Sequence, residues 1–477
     1  MTLTKTVNKI KRIFDNGCIV DKKLASLSDN FRKIPRFVAD YLVSTFVDSE
    51  DPSPGLRKID KLMKEHYVDS EQKELIKSRI REKGSHHLIG NIRCRYDQKI
   101  DMYWASVGAL NDNNIRISPH VLAEYGDILL TTVAWATIQI TFDPTKFKGK
   151  LYPFVIMDFT PFQITSINVD EWISKREEFS DQEWLDLLIS SVGFNPAKFT
   201  HREKMLYLMR LVPFIESNVN MVELGPPETG KTFNYRQLSS YGYVVSGSKT
   251  TVASLFYNKI KKQMGVLGYR DCVMFDEIND ANFNGQEELV SILKDFMNTG
   301  RFGRDTTDFS SDCSIVFAGN INCDREEKSI HGFYRHLFMP FPELIQNDRA
   351  FLDRINGFIP GWEIQQIKES YLSKELGFMA DYFSEIMHKM RDRNYGHVIL
   401  DQVEFGDMGQ RNQQSILKVG SGLIKLMYPH RTDFIEKDEL KLVLDIAIEL
   451  RQRVVDQLAK ISPKEFENVK LGYTFKD

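Results

Sequence analysis

The chain has 477 residues, 42% of them hydrophobic, and a formal net charge of −3; at roughly 100–200 residues per domain it has material for several packed cores. No apolar stretch reaches the ~18 residues of a membrane span, and the N-terminus M-T-L-T-K-T-V-N-K-I-K-R lacks a secretory core. Five scattered cysteines without C-x-x-C spacing argue against a disulfide framework and a zinc site, so a cytoplasmic protein with no membrane partner is expected. The charge is uneven. Residues 1–100 carry 21 Lys/Arg against 14 Asp/Glu, which makes the N-terminal part the natural surface for a polyanion.

Residues 1–84 read as helical. Asn30 to Phe46 has helical spacing with Pro35 near the first turn. Asp51-Pro-Ser-Pro-Gly reads as a turn or short linker, and Leu56 to Tyr67 and Glu71 to Lys83 give two further helices, ended by Gly84. A helix-turn-helix-like module and an ordinary helical cap fit this pattern equally; in the first case Arg32, Lys33 and Arg36 are DNA contacts. Residues 85–169 turn to β character, with strand-like runs at Asp101 to Val107, Ile128 to Phe142 and Tyr152 to Ile167 that suggest a small sheet or barrel. In I-G-N-I-R-C-R-Y, Arg93 and Arg95 fall on the face opposite Ile92 and Cys94. With Tyr96 and Lys99 they resemble a basic-aromatic strip for nucleic acid; a charged guard on a sheet edge fits as well. Residues 170–200 read as a helical connection anchored by Trp172 and Trp184, and Arg202 to Phe214 as an apolar helix.

An apolar run from Val219 to Leu224 then leads into E-L-G-P-P-E-T-G-K-T. Gly225, Pro226, Pro227, Glu228, Thr229, Gly230, Lys231 and Thr232 form G-x-x-x-x-G-K-[ST], the phosphate-cradling loop. Its glycines let bare N–H groups approach phosphate oxygens. Lys231 is placed to neutralise the β- and γ-phosphates of ATP, and the Thr232 hydroxyl to hold Mg²⁺. Downstream, Cys272-Val-Met-Phe-Asp276-Glu277 is a strand ending in two carboxylates. Asp276 suits the Mg²⁺ shell and Glu277 the role of general base. Cys313 to Asn320 is another apolar strand, ending in an amide that can read the γ-phosphate or position water. Arg354, past the last core strand, is the candidate for a cation donated to a neighbouring subunit, with Arg349 as competitor. Glu277, Lys231, Asn320 and Arg354 are thus the expected catalytic set.

This order of parts resembles the AAA+ family of ring-forming ATPases. The stripe Leu440, Val443, Leu444, Ala447, Leu450, Val454 and Leu458 suits its helical lid, and Arg411 or Lys418 is the lid's candidate nucleotide contact. Longer stretches resemble one branch. L-G-P-P-E-T-G-K-T, V-V-S-G-S-K-T-T-V-A-S-L-F-Y-N, A-G-N-I-N and F-L-D-R-I-N-G-F-I-P-G-W-E together look like the BrxL family, the Lon-like AAA+ component of BREX phage-defence systems. I-P-R-F-V-A-D-Y-L and I-K-S-R-I-R-E-K-G resemble it too, so the likeness covers nearly the whole chain.

The resemblance implies an α/β chain. An AAA+ core (201–370) and a helical lid (371–477) follow the helical and β-rich N-terminal regions, in an MCM-like ring. It implies a hexamer, with stacking of rings left open, that encircles double-stranded DNA, and other BREX components as candidate partners. Arg301 and Arg304 would then lie on a hairpin in the pore, though a charged hairpin on the surface fits equally, and Lys249 is a further candidate for a pore-facing position. An unfoldase feeding a separate protease is the alternative. The sequence departs from the family at Pro227-Glu228, where Arg-Gly is usual, and at Leu417-Lys418, where a basic pair is usual. It also stops at Asp477 without the family's protease-type domain, so no protease activity is expected.

Overall fold

The computed structural model describes residues 2–15, 17–27, 29–48, 51–147, 150–162, 167–246, 251–258, 263–281, 286–304, 307–466 and 469–476. It divides into two compact units, Met1–Ile167 with Lys374–Phe383, and Asn168–Ser373 with Ser384–Asp477. Residues 374–383, assigned from sequence to the C-terminal lid, thus cluster with the first unit. The reason is pairing: Ile19–Asp21 forms an antiparallel ladder with Leu376–Phe378.

In the first unit the helix expected from Asn30 starts only at Arg36, after a 3-10 turn over Asp29–Lys33. Pro35 disfavours helical geometry in the residue before it, so the helix begins just after the ring. Asp51-Pro-Ser-Pro-Gly, expected as a linker, is instead the start of the helix Pro52–His66. The Asp51 side chain accepts from Ser53 N, and proline costs nothing in a first turn whose N–H groups have no helical partner. Gly84, at φ 80°, ends the helix Lys73–Lys83.

Five strands follow: β1 (Ser85–Asp97), β2 (Met102–Val107), β3 (Asp112–Ile117), β4 (Ala134–Phe142) and β5 (Phe154–Pro161). They close into a barrel in the order β1-β2-β3-β5-β4, with β3 and β5 parallel and the helix Pro119–Thr131 between β3 and β4. This is the plan of the five-stranded OB barrel. Ile128 to Leu130, expected in a strand, belong to that helix, where Leu129 is buried. Ile92, Cys94, Ile115, Ile138 and Ile156 fill the barrel, and Arg93 and Arg95 alternate away from it.

The second unit is built on a parallel sheet of β6 (Asn220–Gly225), β7 (Gly242–Ser246), β8 (Cys272–Asp276), β9 (Ser314–Asn320) and β10 (Gly357–Pro360). Its order is β7-β8-β9-β6-β10, and every pair is parallel. Strands covered on both faces read as continuous apolar runs, as β8 and β9 do up to their last residues, whereas β6 is interrupted by the buried Asn220 and Glu223. The helices Gln410–Met427 and Lys437–Ile461 pack on each other, and the latter buries the whole stripe from Leu440 to Leu458. No helix among the described residues is long and apolar enough to cross a membrane.

Asp40 is the electrostatic anchor of the first unit. It is fully buried and accepts from Lys22 Nζ at 2.6 Å, Arg36 Nε at 3.2 Å and Ala380 N at 3.1 Å. Asp40→Ala leaves the buried Lys22 ammonium uncompensated and should cost about 3–5 kcal/mol. Urea unfolding followed through this unit's tryptophans checks it.

Candidate nucleotide site

Parallel sheets present ligands beyond the carboxyl ends of their strands, and three candidate segments meet there. Gly225 closes β6 against Gly361; a Cβ on it would stand 2.6 Å from the Gly361 carbonyl carbon. Gly230, at φ 74°, turns the chain into the helix Lys231–Gln237. Between them Lys231 is buried, and its ammonium is folded onto its own loop. It donates to Gly225 O at 3.0 Å, Pro226 O at 2.7 Å and Asn320 Oδ1 at 3.2 Å. Burial lowers its pKa. Asn320 therefore lies within reach of the loop lysine, across the ladder between β9 and β6.

Thr232 Oγ1 donates to Asp276 Oδ2 at 2.8 Å, so the two residues expected to hold Mg²⁺ are already in contact. A hydroxyl and a carboxylate suit that hard cation, which takes few protein ligands and completes its shell with water and phosphate. Among the described residues there is no cluster of three or more His, Cys, Asp or Glu for a softer metal. Glu277 is exposed and left-handed (φ 53°, ψ 46°), a conformation that costs a non-glycine residue of order 1–3 kcal/mol and gathers at functional sites.

Sequence reading missed what holds the loop. Arg210, on a segment read as purely apolar, is fully buried and forms a two-pronged pair with Glu223 of β6: Nε to Oε2 at 2.9 Å, Nη2 to Oε1 at 2.6 Å. Its third arm reaches Thr229 O at 3.1 Å. Glu228 is left-handed at φ 66°. Its carboxylate accepts from Gln366, whose carbonyl in turn accepts from Arg325 at 2.9 Å, and its main-chain oxygen accepts from Ile367 N at 2.8 Å.

Arg354 does not join this cluster. It precedes β10, and Asn356 Oδ1 accepts from Asn220 N at the opposite end of β6, about 17 Å from Gly225 at 3.3 Å per residue. Arg354 donates to Ala350 O, and its pKa is lowered by burial and by the nearby Arg411. Both lid candidates share this end: Arg411 pairs with Asp353, and Lys418 Nζ donates to Asn218 O at 2.9 Å. Arg349 pairs with Glu465. Arg451, hidden inside the apolar stripe and also missed, secures the loop under Arg354 through Asp353 Oδ1 at 2.6 Å and the carbonyls of Asp353 and Ile355.

The candidate DNA contacts are mixed in character. Arg36 is committed to Asp40 and to Lys22 O. Lys33 is half-exposed, 4.0 Å from Asp69. Arg95 bonds Asn114 Oδ1 at 2.9 Å, and Arg93 is partly buried on the same face. Beside them Tyr96 and Tyr103 are exposed as a ring pair 4.9 Å apart, a contact the sequence pattern did not reveal because Tyr103 comes from β2. Arg301 is exposed on the hairpin of Arg301–Arg304 and Thr307–Ser310. The side chains of Arg32 and Arg304, and all of Lys249, lie outside the described residues.

Two family models match the chain: the BREX system Lon protease-like protein BrxL N-terminal region over residues 12–142, and the Lon-like protease BrxL-like ATPase domain over residues 154–472. The Lon-like protease BrxL of Bacillus cereus (strain H3081.97) is 34% identical over 463 residues, 96% of this chain and 67% of that protein. Its counterpart from Escherichia coli O9:H4 (strain HS) is 33% identical, over 96% of this chain and 65% of that protein. The chain thus spans about two thirds of the length of these curated relatives. Among solved structures, a full-length MCM homolog from Methanopyrus kandleri aligns over 78% of each chain at 11% identity and a TM-score of 0.45.

Three variants separate the loop's anchor from its strain. Arg210→Ala, which leaves Glu223 buried and alone, should lower stability by about 3–5 kcal/mol, whereas Arg210→Met with Glu223→Leu should recover most of it. Glu228→Gly should raise stability by about 1 kcal/mol through relief of the left-handed backbone. Denaturant midpoints of the full chain check both.

Proposed function

We propose, on the premise that this chain belongs to the BrxL family, that its second unit hydrolyses Mg²⁺-ATP in a ring of like subunits that grips double-stranded DNA. The observation that carries the reading is the meeting of Lys231, Thr232, Asp276 and Asn320 at the carboxyl ends of β6, β8 and β9, linked by direct hydrogen bonds. On binding, the Lys231 ammonium exchanges the Gly225 and Pro226 carbonyls for β- and γ-phosphate oxygens. Thr232 and Asp276 would hold Mg²⁺, which supplies neutralising charge on those phosphates. Glu277 takes the proton of the attacking water, and the Asn320 amide orients that water or the γ-phosphate.

Of the chain's own cations, Arg236 lies 3.7 Å from Asp276 Oδ2, and Arg210, near enough to lower the Lys231 pKa, is spent on Glu223 and the Thr229 carbonyl. The positive charge that stabilises phosphoryl transfer is therefore assigned to Arg354 of an adjoining copy, with Arg411 beside it. Arg411 is preferred to Lys418 as the lid's contribution because it is exposed, whereas Lys418 is spent on the Asn218 carbonyl. The DNA half of the reading is supported by the OB-type barrel, the exposed Tyr96–Tyr103 pair and the adjacent arginines, a combination suited to nucleic acid. A role in BREX-type phage defence is supported by family membership.

Glu277→Gln should reduce turnover by on the order of 10²- to 10⁴-fold while Mg²⁺-ATP binding persists, as read by phosphate release and by a fluorescent ATP analogue. Unchanged turnover would contradict the base assignment. Duplex DNA should bind with an affinity that falls steeply as salt rises. Salt-insensitive binding, or turnover stimulated by unfolded protein and not by DNA, would favour a protein remodeller instead.

A further inference from the structure

The turn after β8 holds an amide that none of these roles uses. Backbone pairing between β8 and β9 runs from Cys272–Ser314 to Phe275–Phe317 and stops there. Three residues further along β9 a side chain takes over. Asn320 N donates to Asn279 Oδ1 at 2.9 Å, and Asn279 Nδ2 donates to Asn320 O at 2.8 Å. One amide thus supplies both the acceptor and the donor that another rung of the ladder would have supplied. The space for it is made by Gly319, on which a Cβ would lie 2.2 Å from Asn279 Oδ1.

Both ends of this clamp lead to reacting groups. Asn279 sits in the turn Ile278–Asp280, which Asp280 N closes by donating to Glu277 O at 2.8 Å. The left-handed Glu277 is the hinge from which that turn leaves the strand. At the other end, the side chain of Asn320 accepts from Lys231 at 3.2 Å. The grip on the Asn320 main chain therefore ties the carboxylate strand to the amide strand at the point where both meet the phosphate loop.

We propose that Asn279 is a positioning residue for hydrolysis: by clamping the Asn320 main chain it sets the Asn320 amide and the Glu277 carboxylate at one fixed separation. The proposal rests on the ATPase reading and adds a residue to it. An amide is required, because a carboxylate at 279 accepts from Asn320 N but has nothing to donate to Asn320 O.

Single-turnover hydrolysis and Mg²⁺-ATP affinity should be measured for the unaltered chain, Asn279→Ala, Asn279→Asp, Asn320→Ala and the Asn279→Ala/Asn320→Ala double variant. Asn279→Ala should slow the chemical step by on the order of 10- to 100-fold with affinity held within about twofold. Asn279→Asp, which keeps one of the two bonds and guards against a folding failure, should also be slow. In the Asn320→Ala background, removing Asn279 should cost less than about threefold more, since one of the two groups whose separation it fixes is already gone. A full multiplicative loss there, or an unaltered rate in Asn279→Ala, would overturn the clamp. An unaltered chain that binds ATP and never hydrolyses it would instead overturn the ATPase reading beneath it, and the clamp with it.

Discussion

The nucleotide loop depends on one buried ion pair. Arg210 and Glu223 are almost fully removed from water, and two charges so placed are tolerable only when each is paired and hydrogen-bonded. The geometry meets that condition by giving the third guanidinium arm to the Thr229 carbonyl. Helix, strand and loop are therefore locked by a group that cannot shift without stranding a charge. The element that changes partners in the proposed function is Lys231, whose ammonium rests on the Gly225 and Pro226 carbonyls. A rigid frame with one movable cation suits a site that must bind, react and release.

The sheet has two ends with different inventories. The carboxyl end gathers Lys231, Thr232, Asp276, Glu277 and Asn320, the residues proposed to bind and hydrolyse ATP. The amino end gathers Arg354, Arg411 and Arg451 around Asp353. Arg451, buried and fixed to Asp353 and Ile355, holds the loop so that Arg354 keeps a defined direction. Asn220, at this end, lies about 17 Å along β6 from Gly225, so under the proposed function these cations do not serve the nucleotide of their own chain. They suit the nucleotide of a neighbour, and that separation is the physical content of the ring proposal.

Much of this was legible in the sequence, for stated reasons. The loop, the two carboxylates and Asn320 each sit at the carboxyl end of an apolar run, and a parallel sheet brings such ends together. The alternation of Ile92 and Cys94 with Arg93 and Arg95 gave the faces of β1. Illegible were contacts set by tertiary pairing. Arg210 and Arg451 look like interruptions in apolar helices until Glu223 and Asp353 are seen against them. Residues 374–383 read as part of a helical region, yet Leu376–Phe378 among them pair with Ile19–Asp21. Asp51-Pro-Ser-Pro-Gly carries turn residues, and the same residues are good helix starters. Glu228 at a left-handed position gave no local signal.

The most direct measurement of a cleft shared between copies is turnover in mixed assemblies of Lys231→Ala and Arg354→Ala chains, co-expressed with different tags and purified through both. Each variant alone should hydrolyse ATP near background. In the mixed ring a site with an intact lysine can meet an intact arginine next door, so activity should return at roughly a quarter of the sites if subunits assort at random. Recovery in the mixture, absent from either parent, is the predicted result. Mixed assemblies that form and stay as inactive as their parents would contradict it.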